Sequence, residues 1–461
     1  MITLAIVVVA LALRLISLNQ SLWLDEAIGA VAIKDLSFRS LVINFSRGDN
    51  HPPLYYLLLK VWTTVFGYSE ISLRAPSVIL GILTVYLFYK LIEVYLSHIN
   101  FKSRFLPFFA ALFLATSGLH VYYSQEARMY VPVAFLALFA VYFFLKTLIE
   151  KKKSNWFWFS LGIILLVFTD YMPVFLLPLF PLYGFNQKIK SRKWWLLFIA
   201  SFAPLFILGL LWLPIFKAQS LGGKWLLENL PAWRSVAGGA SLKQLALVWI
   251  KFCFGRISFT NKGLYYSLIV IFSIPVVFSL TKFLRGGRKF RLVLFWLIIP
   301  LVFGFIASAF FPAFIYFRYL FVLPVFYLAL ALGIWSFKNA TLRFFLTGLV
   351  IIINLATSFI YLIDRNQQRE DWRGAVLAVE ARLKENEAVA FLNPEPFAPY
   401  RWYSQKVGST INLVPKIGAK DSEIRFRTNE KTSNLKGIYL FDYLNDINDP
   451  HGISVYVITQ A

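Results

Sequence analysis

Long apolar segments separated by short basic connections constrain this chain more than any other feature of its sequence. A helix needs about 20 mostly apolar residues to cross a bilayer, and roughly eleven segments approach that length. They lie near residues 1–18, 76–96, 105–122, 131–149, 156–169, 172–186, 194–216, 264–282, 291–310, 319–337 and 343–363. With 59% hydrophobic and 15% charged residues, the chain also lacks the polar surface of a soluble protein. The sequence therefore predicts a mainly α, polytopic membrane bundle of about eleven transmembrane helices.

Positively charged residues in the connections fall on one side of this predicted bundle. They concentrate near residues 102–104, 151–153, 188–193, 282–291 and 338–343. Cytoplasmic loops are enriched in Lys and Arg, so we assign this side to the cytoplasm and the net charge of +23 to topology and anionic lipids, not to nucleic acid. The N-terminus is then cytoplasmic and the C-terminal part lies outside the plasma membrane. The first run has no basic n-region and no cleavage site, so we expect it to remain as a helix.

Two outer loops, residues 19–75 and 217–263, are longer than connections between helices need to be. The first contains PLYYLLLKVWTTVF (53–66) and the second LKQLALVWIKFCF (242–254). Both stretches are apolar and carry aromatic side chains, a pattern typical of helices that lie in the membrane interface. Long structured loops of this kind usually carry function.

The composition changes to that of a soluble domain from residue 364 onward. EDWRGAVLAVEARLKENE has the apolar spacing of a helix, and three short runs rich in β-branched or aromatic residues predict strands. Those runs are AVAFLN (388–393), KGIYLFDY (436–443) and ISVYVIT (453–459). We therefore expect two domains, a transmembrane domain over 1–363 and a small extracytoplasmic α/β domain over 364–461.

Two adjacent carboxylates, Asp25 and Glu26, follow the first apolar run. A charge deep in a bilayer costs about 2.5–3.5 kcal/mol, so an acidic pair at the membrane surface is a candidate functional site. The alternative is that both residues only cap an interfacial helix opening at Ala27, where negative charge is favoured.

Three further polar residues stand out in the outer segments. His51, in NHPPLYY, could donate to a phosphate or bind a metal, or it could simply be solvated. Glu126 and Arg128, in YSQEARMY, are too close in sequence to pair on a helix, so each is expected to meet another group. The alternative for these two is an aromatic belt with snorkelling charges.

Arginines near the predicted outer surface are candidate phosphate ligands, because the guanidinium group can fork onto two phosphate oxygens. Arg318, with Tyr319 beside it, opens the tenth apolar run, and Arg14 and Arg74 lie at the outer ends of the first and second. Each would also be ordinary as an anchor in the outer leaflet.

In this order the motifs resemble the membrane glycosyltransferases of the C superfamily, in particular the protein-mannosyltransferase-like and aminoarabinose-transferase-like group of bacteria. The matching segments are LRLISLNQSLWLDEA, HPPLYYLLLKVW, SEISLRAPSVILG, YSQEARMY, FRYLFVLP and EDWRGAVLAVE. They extend along nearly the whole chain and agree with the predicted topology.

The resemblance implies transfer of a sugar from a polyprenyl-phosphate-linked donor to a lipid, glycan or protein acceptor at the outer membrane face, with inversion at the anomeric carbon. It places Asp25 and Glu26 at the catalytic centre, with Asp25 as the base, and Arg318 near the donor phosphate. Further residues expected at the substrate are His51, Arg74, Glu126, Arg128 and Tyr319.

No cofactor is predicted with certainty, although the acids and one histidine could hold Mg²⁺ or Mn²⁺. One cysteine excludes an intrachain disulfide. The competing class is a transporter or lipid-linked-sugar flippase, which generally places charged or helix-breaking residues at mid-membrane in repeated halves. Here the acids cluster at one surface and no halves repeat. A non-catalytic membrane scaffold, the third class, would not require the acidic pair.

Overall fold

Helices make up most of the structure, a computed structural model that describes residues 2–230 and 232–460. Within these ranges seven helices are long and apolar enough to cross a membrane. They are Glu70–His98, Tyr130–Ile149, Arg192–Asn229, Lys262–Leu284, Gly287–Ala307, Tyr316–Trp335 and Ala340–Ile363. The pair Leu106–Thr116 and Gly118–Ser124 passes the same test together and gives an eighth, bent span. The chain is therefore a multi-pass membrane protein, and the predicted helical bundle is confirmed.

Three of the predicted spans are shorter helices. Ile2–Leu15 has 14 residues and Lys153–Thr169 has 17. The third is divided into a 3₁₀ turn, Met172–Leu176, and a helix, Leu179–Asn186. Proline has no backbone N–H to donate, so Pro173, Pro178 and Pro181 explain the interruption of this segment.

Contacts divide the chain into two compact units. The first comprises Met1–Leu18, Asp49–Lys217 and Gly238–Gln368, and the second comprises Asn19–Gly48, Ala218–Ala237 and Arg369–Ala461. This partition joins segments that are distant in sequence. The division into domains 1–363 and 364–461 stays a prediction.

Beyond the spans, the first unit contains further helices. Besides those already given, these are Leu54–Phe66, Leu242–Phe254, the 3₁₀ turns Gly287–Phe290 and Tyr316–Val322 that precede Arg291–Ala307 and Leu323–Trp335, and the 3₁₀ turn Arg365–Gln367. Both stretches that the sequence assigned to interfacial helices, 53–66 and 242–254, are helical.

The second unit combines short helices with a sheet. Its helices are Leu24–Asp35, Phe38–Ser40, the π-helical turn Leu41–Phe45, Ser46–Gly48, Trp233–Ala237, Trp372–Glu380, Ala398–Tyr403, Val407–Ser409 (3₁₀), Asp421–Thr432, Asn445–Asn448 and Ile453–Gln460. Its strands are Glu387–Phe391, Thr410–Asn412 and Gly437–Phe441.

The three strands form a parallel sheet with Glu387–Phe391 in the middle. Val389 pairs with Thr410 on one side and with Tyr439 on the other. Parallel neighbours need a crossover connection, and helices provide it here, so the predicted α/β architecture is confirmed. Aromatic and aliphatic side chains fill its core: Trp372, Val376, Val389, Phe391, Phe397 and Tyr400.

The expectation of a strand at ISVYVIT was wrong, because Ile453–Gln460 is a helix. The Asp449 carboxylate accepts hydrogen bonds of 2.8 Å from the backbone N–H groups of Ile453 and Ser454, which caps the helix. Ser454 and Val457, three residues apart, are both buried. Capping and packing of one helical face outweigh the β propensity of the isoleucines and valines.

Helix Arg192–Asn229 continues past residue 216, where the sequence predicted the second outer loop to begin. The helix includes Gly222 and Gly223, and a glycine within a helix costs only about 1 kcal/mol relative to alanine. An i,i+4 pair between Lys224 and Glu228, with 3.7 Å from Nζ to Oε1, supports the extra turns.

The bent span is tolerated because side chains satisfy the carbonyl groups that the bend releases. Its two helices meet at 59° around Ser117. Asn354 Nδ2 donates to the Phe113 carbonyl at 2.9 Å, and Ser358 Oγ donates to the Thr116 carbonyl at 2.8 Å. Backbone groups at membrane depth need such partners.

One glycine allows two spanning helices to approach backbone to backbone. A Cβ added to Gly333 would lie 2.0 Å from the carbonyl oxygen of Ser279. Helices Lys262–Leu284 and Leu323–Trp335 therefore pack through a small residue, as is common between membrane helices.

Candidate active site

The acidic pair lies in the second unit, in the first turn of a helix. That helix begins at Leu24, so Asp25 and Glu26 both lie near the positive end of its dipole. Glu26 Oε2 also lies 3.5 Å from the backbone nitrogen of Trp23. The helix thus opens before Ala27, and Asp25 is half-buried whereas Glu26 is buried.

Glu26 forms an ion pair with Arg369, and this pair has almost no access to solvent. The distance from Glu26 Oε2 to Arg369 Nε is 3.6 Å, and the two side chains are 0% and 1% exposed. Sequence analysis did not single out Arg369, which immediately precedes the EDWRG motif. The buried pair fixes the helix turn that carries Asp25.

Residues of the C-terminal part also hold the segment that leads to the acidic pair. The Tyr403 hydroxyl accepts a hydrogen bond of 2.8 Å from Leu22 N, and Ser21 Oγ accepts one of 3.0 Å from Arg373 N. Arg373 Nη2 donates to the carbonyl of Asn19 at 2.8 Å. Packed and hydrogen-bonded supports of this kind preorganise a functional side chain.

The remaining predicted residues belong to the first unit, where His51 lies beside a carboxylate. His51 is buried, and its Nδ1 is 3.2 Å from Asp49 Oδ1. Burial alone would raise the pKa of Asp49. The charge of His51 and its hydrogen bond, the charge of Arg128 and a hydrogen bond from Tyr56 together lower the pKa of Asp49 to about 2.

Arg128 joins the same cluster. Its Nη1 donates to the Tyr56 hydroxyl at 3.0 Å, and its guanidinium carbon lies 5.9 Å from the centre of the Tyr130 ring. Glu126, two residues before it, is also buried. The structure therefore brings Asp49, His51, Tyr56 and Arg128 together, although sequence analysis had named only the histidine and the arginine.

Gln125 anchors the loop that carries Glu126 and Arg128. Its Nε2 donates to the carbonyls of Arg14 at 3.0 Å and Ile16 at 2.6 Å, and its Oε1 accepts from the Tyr361 hydroxyl at 2.9 Å. Sequence analysis quoted Gln125 within YSQEARMY without assigning it a role.

Two of the candidate arginines are engaged inside the fold. Arg14 is fully buried, and its guanidinium donates to Ser124 Oγ at 3.0 Å and to His120 Nδ1 at 2.6 Å. Arg74 is also fully buried and donates to the Leu18 carbonyl at 2.9 Å. Both therefore tie elements of the first unit together.

Arg318 and Tyr319 differ from each other in their surroundings. Tyr319 is fully buried, and its hydroxyl lies 3.9 Å from Met172 Sδ. The same hydroxyl packs against Gly304, where an added Cβ would lie 1.8 Å from the Tyr319 oxygen. Arg318 is half-buried, and its guanidinium makes no hydrogen bond or ion pair with any residue that the structure describes. Its Nε is completely shielded from solvent.

Within residues 2–230 and 232–460, no group of three or more His, Cys, Asp or Glu side chains is arranged to hold a metal ion. A Mg²⁺ or Mn²⁺ ion, which the sequence left open, therefore has no preformed set of ligands among these side chains. Mg²⁺ commonly needs only one or two carboxylates together with substrate phosphate.

Solved membrane enzymes share this architecture over almost the whole chain. ArnT from Cupriavidus metallidurans bound to undecaprenyl phosphate superposes with a TM-score of 0.56 and 10% identity, covering 94% of this chain and 89% of that one. The apo state of the same enzyme superposes with a TM-score of 0.53 and 11% identity, covering 94% of this chain and 88% of that one. The apo oligosaccharyltransferase of Archaeoglobus fulgidus superposes with a TM-score of 0.51 and 13% identity, covering 94% of this chain and 69% of that one. The chain therefore shares its fold with these enzymes, in agreement with the resemblance seen in the sequence.

A protein-family model matches part of the sequence. Residues 50–212 match the model described as dolichyl-phosphate-mannose-protein mannosyltransferase. The matched range includes His51, Glu126 and Arg128, and it excludes Asp25 and Arg318. No curated protein matches the chain by sequence.

Proposed function

We propose that this protein is a membrane glycosyltransferase that moves a sugar from a polyprenyl-phosphate-linked donor to a hydroxyl group of a lipid, glycan or protein acceptor, with inversion at the anomeric carbon. The fold and the mannosyltransferase model support this class of reaction. The observation that carries the donor assignment is the Arg318 guanidinium, which has no partner among the described residues although its Nε is buried. A buried donor group without a partner is costly, and a bound phosphate would satisfy it.

A polyprenyl-phosphate sugar is amphiphilic, so its site needs an apolar surface for the tail and a cation for the phosphate. Arg318 lies at the start of a spanning helix of the first unit, which provides both properties. A planar guanidinium can donate two parallel hydrogen bonds to phosphate oxygens. Arg128, already hydrogen-bonded to Tyr56, is the second candidate. ArnT, similar in fold, was crystallised with undecaprenyl phosphate, and this protein is proposed to use a carrier of the same kind.

In the proposed reaction, Asp25 is the general base. The acceptor oxygen forms a bond to the anomeric carbon while the bond from that carbon to the phosphate oxygen breaks, and the electron pair leaves with the phosphate. The acceptor proton passes to the Asp25 carboxylate as the new bond forms. The leaving phosphate is a stable anion and needs no acid. Attack opposite the leaving group inverts the anomeric carbon.

Glu26 is proposed to position the site and not to take the proton. Its carboxylate is inaccessible and paired with Arg369, whereas Asp25 is half-buried and one residue away. An acceptor hydroxyl needs a carboxylate that it can reach.

The proposed location is the plasma membrane, with a cytoplasmic N-terminus and an extracytoplasmic C-terminal domain. The one-sided basic connections support this orientation. In a Cys253-free background, Ser404→Cys should react with an impermeant thiol reagent on intact cells, and Lys190→Cys should not. The reverse labelling pattern would invert the topology.

The donor site is tested by binding of undecaprenyl phosphate to purified variants. Arg318→Ala should weaken binding by about tenfold or more, because a hydrogen bond to a charged group is lost. Arg318→Lys should be intermediate, since lysine keeps the charge but loses the fork. Arg288→Ala, at an exposed arginine of a basic connection, is the matched control and should bind normally. Unchanged binding in both Arg318 variants would move the phosphate site, with Arg128 tested next.

A further inference from the structure

An aromatic cluster in the second unit lies beside the turn that carries Asp25. The Tyr443 ring stands edge-on to Trp372, with 5.2 Å between centroids, and to Phe397, at 5.3 Å. Leu24, the neighbour of Asp25 in the chain, packs against the same cluster. The proposed base is thus close to a partly accessible tyrosine.

Glu370, at the edge of this cluster, is held by two donors. Trp372 Nε1 donates to Oε2 at 2.9 Å, and the Tyr443 hydroxyl donates to Oε1 at 3.3 Å. An exposed carboxylate has no need of such partners, because water solvates it well. Each carboxylate oxygen keeps a free lone pair and can accept another hydrogen bond. The Glu370 carboxylate is therefore held in a fixed orientation and is accessible as a hydrogen-bond acceptor.

The charges around this cluster favour hydroxyl groups over anions. Burial, the Glu370 carboxylate and the Asp25 carboxylate raise the pKa of Tyr443, so the phenol keeps its proton. The charge of Glu26 is matched by Arg369, whereas Glu370 is bound by neutral donors. The Glu370 carboxylate, held by neutral donors, would repel a phosphate and accept hydrogen bonds from a sugar.

We propose that Glu370, oriented by Tyr443 and Trp372, positions the acceptor beside Asp25, and that the group bound there is an uncharged sugar bearing hydroxyls. This inference rests on the proposed function, since it takes Asp25 as the base. Glu370 would accept a hydrogen bond from one hydroxyl of the sugar, and the Tyr443 ring would offer an apolar surface to its C–H groups. Glu370 and Tyr443 are positioning residues in this scheme, because the proton goes to Asp25.

The test measures direct binding of soluble probes to the full-length protein in nanodiscs. Binding is detected by saturation-transfer NMR, with no polyprenyl-phosphate sugar donor present. The probes are a panel of methyl hexosides and methyl pentosides, with glycerol 3-phosphate as the anionic comparison. We expect the wild type to bind at least one glycoside in preference to glycerol 3-phosphate. Glu370→Gln should weaken that binding about tenfold, since a hydrogen bond to a charged group is lost, and Tyr443→Phe about threefold.

Two controls separate positioning from folding. Glu385→Gln changes an exposed carboxylate of the same unit and should leave glycoside binding unaltered. The thermal unfolding midpoints of the Glu370 and Tyr443 variants should match that of the wild type. Binding of no glycoside, stronger binding of glycerol 3-phosphate, or equal glycoside affinity in wild type and both variants would each overturn the inference. Failure of the proposed function would appear separately, as an absence of polyprenyl phosphate release by the wild type.

Discussion

The buried pair of Glu26 and Arg369 gives a quantitative prediction about the turn that carries Asp25. At the observed 3.6 Å and an effective dielectric constant of about 20, the Coulomb attraction is roughly 5 kcal/mol. Desolvation of two charges offsets most of that attraction in the intact pair. Loss of one member removes the attraction while the other charge stays buried, so Arg369→Met should destabilise the protein by about 3–5 kcal/mol.

The double variant Glu26→Gln/Arg369→Met should recover much of that loss, because neither buried charge remains. We therefore expect a coupling energy of about 2–3 kcal/mol from the double-mutant cycle. Unfolding in detergent can be followed by the intrinsic fluorescence of the tryptophans, with urea and with heat.

A second pair at the same distance serves as the control. Arg401 Nη2 lies 3.6 Å from Asp35 Oδ2, but these side chains are 36% and 51% exposed. Exposed pairs contribute about 0–1 kcal/mol, so Arg401→Met should have a small effect. If Arg369→Met cost no more than Arg401→Met, or if the effects of the two single variants simply added, the buried pair would not fix this turn.

Three further predictions concern stability. Gly333→Ala should destabilise the bundle by about 1–3 kcal/mol in thermal unfolding, since the new methyl group would collide with the Ser279 carbonyl. Gly348 has open space around it, so the control Gly348→Ala should be neutral or slightly stabilising in the same assay. The pKa of Asp49 is lowered from 3.8 to about 2, so its stabilisation, roughly 2 kcal/mol, is present above pH 4 and is lost as pH falls from 4 to 2; urea unfolding of Asp49→Asn should lack this step. Glu380 accepts hydrogen bonds from Ser404 Oγ and from the backbone of Lys406, so Glu380→Gln should cost about 1–3 kcal/mol, and equal midpoints for this variant and the wild type would refute that role.

Local features of the sequence predicted most of the helical architecture. Apolar length is a property of each segment, so the spanning helices could be located from the sequence alone. The residue at which a helix begins was harder to predict. The Ser69 side chain accepts a hydrogen bond from Ser72 N at 3.2 Å, so helix Glu70–His98 begins six residues before the predicted position 76. Ile453–Gln460 was mistaken for a strand because the cap from Asp449 and packing of one face decide its conformation.

The candidate site was predictable only in part, since its polar groups pair across long stretches of chain. Asp25, Glu26 and Arg128 were singled out as charged residues at the predicted membrane surface, in motifs that resemble a known family. The pairing of Glu26 with Arg369 joins residues in different parts of the sequence, and no local pattern indicates it. The hydrogen bonds that hold Glu370 likewise depend on Tyr443, which is distant in sequence.

The central claim is tested most directly by single-turnover sugar transfer from polyprenyl-phosphate donors. Purified protein would be mixed with undecaprenyl-phosphate-linked hexoses and pentoses and a membrane extract as the source of acceptor, and release of undecaprenyl phosphate would be followed by mass spectrometry. We expect release by the wild type. Asp25→Asn should bind donor normally but react at least about 100-fold more slowly, because a positioned base contributes roughly 10²–10⁴ in rate. A near wild-type rate for Asp25→Asn would contradict the account and direct the search for the base to Glu126.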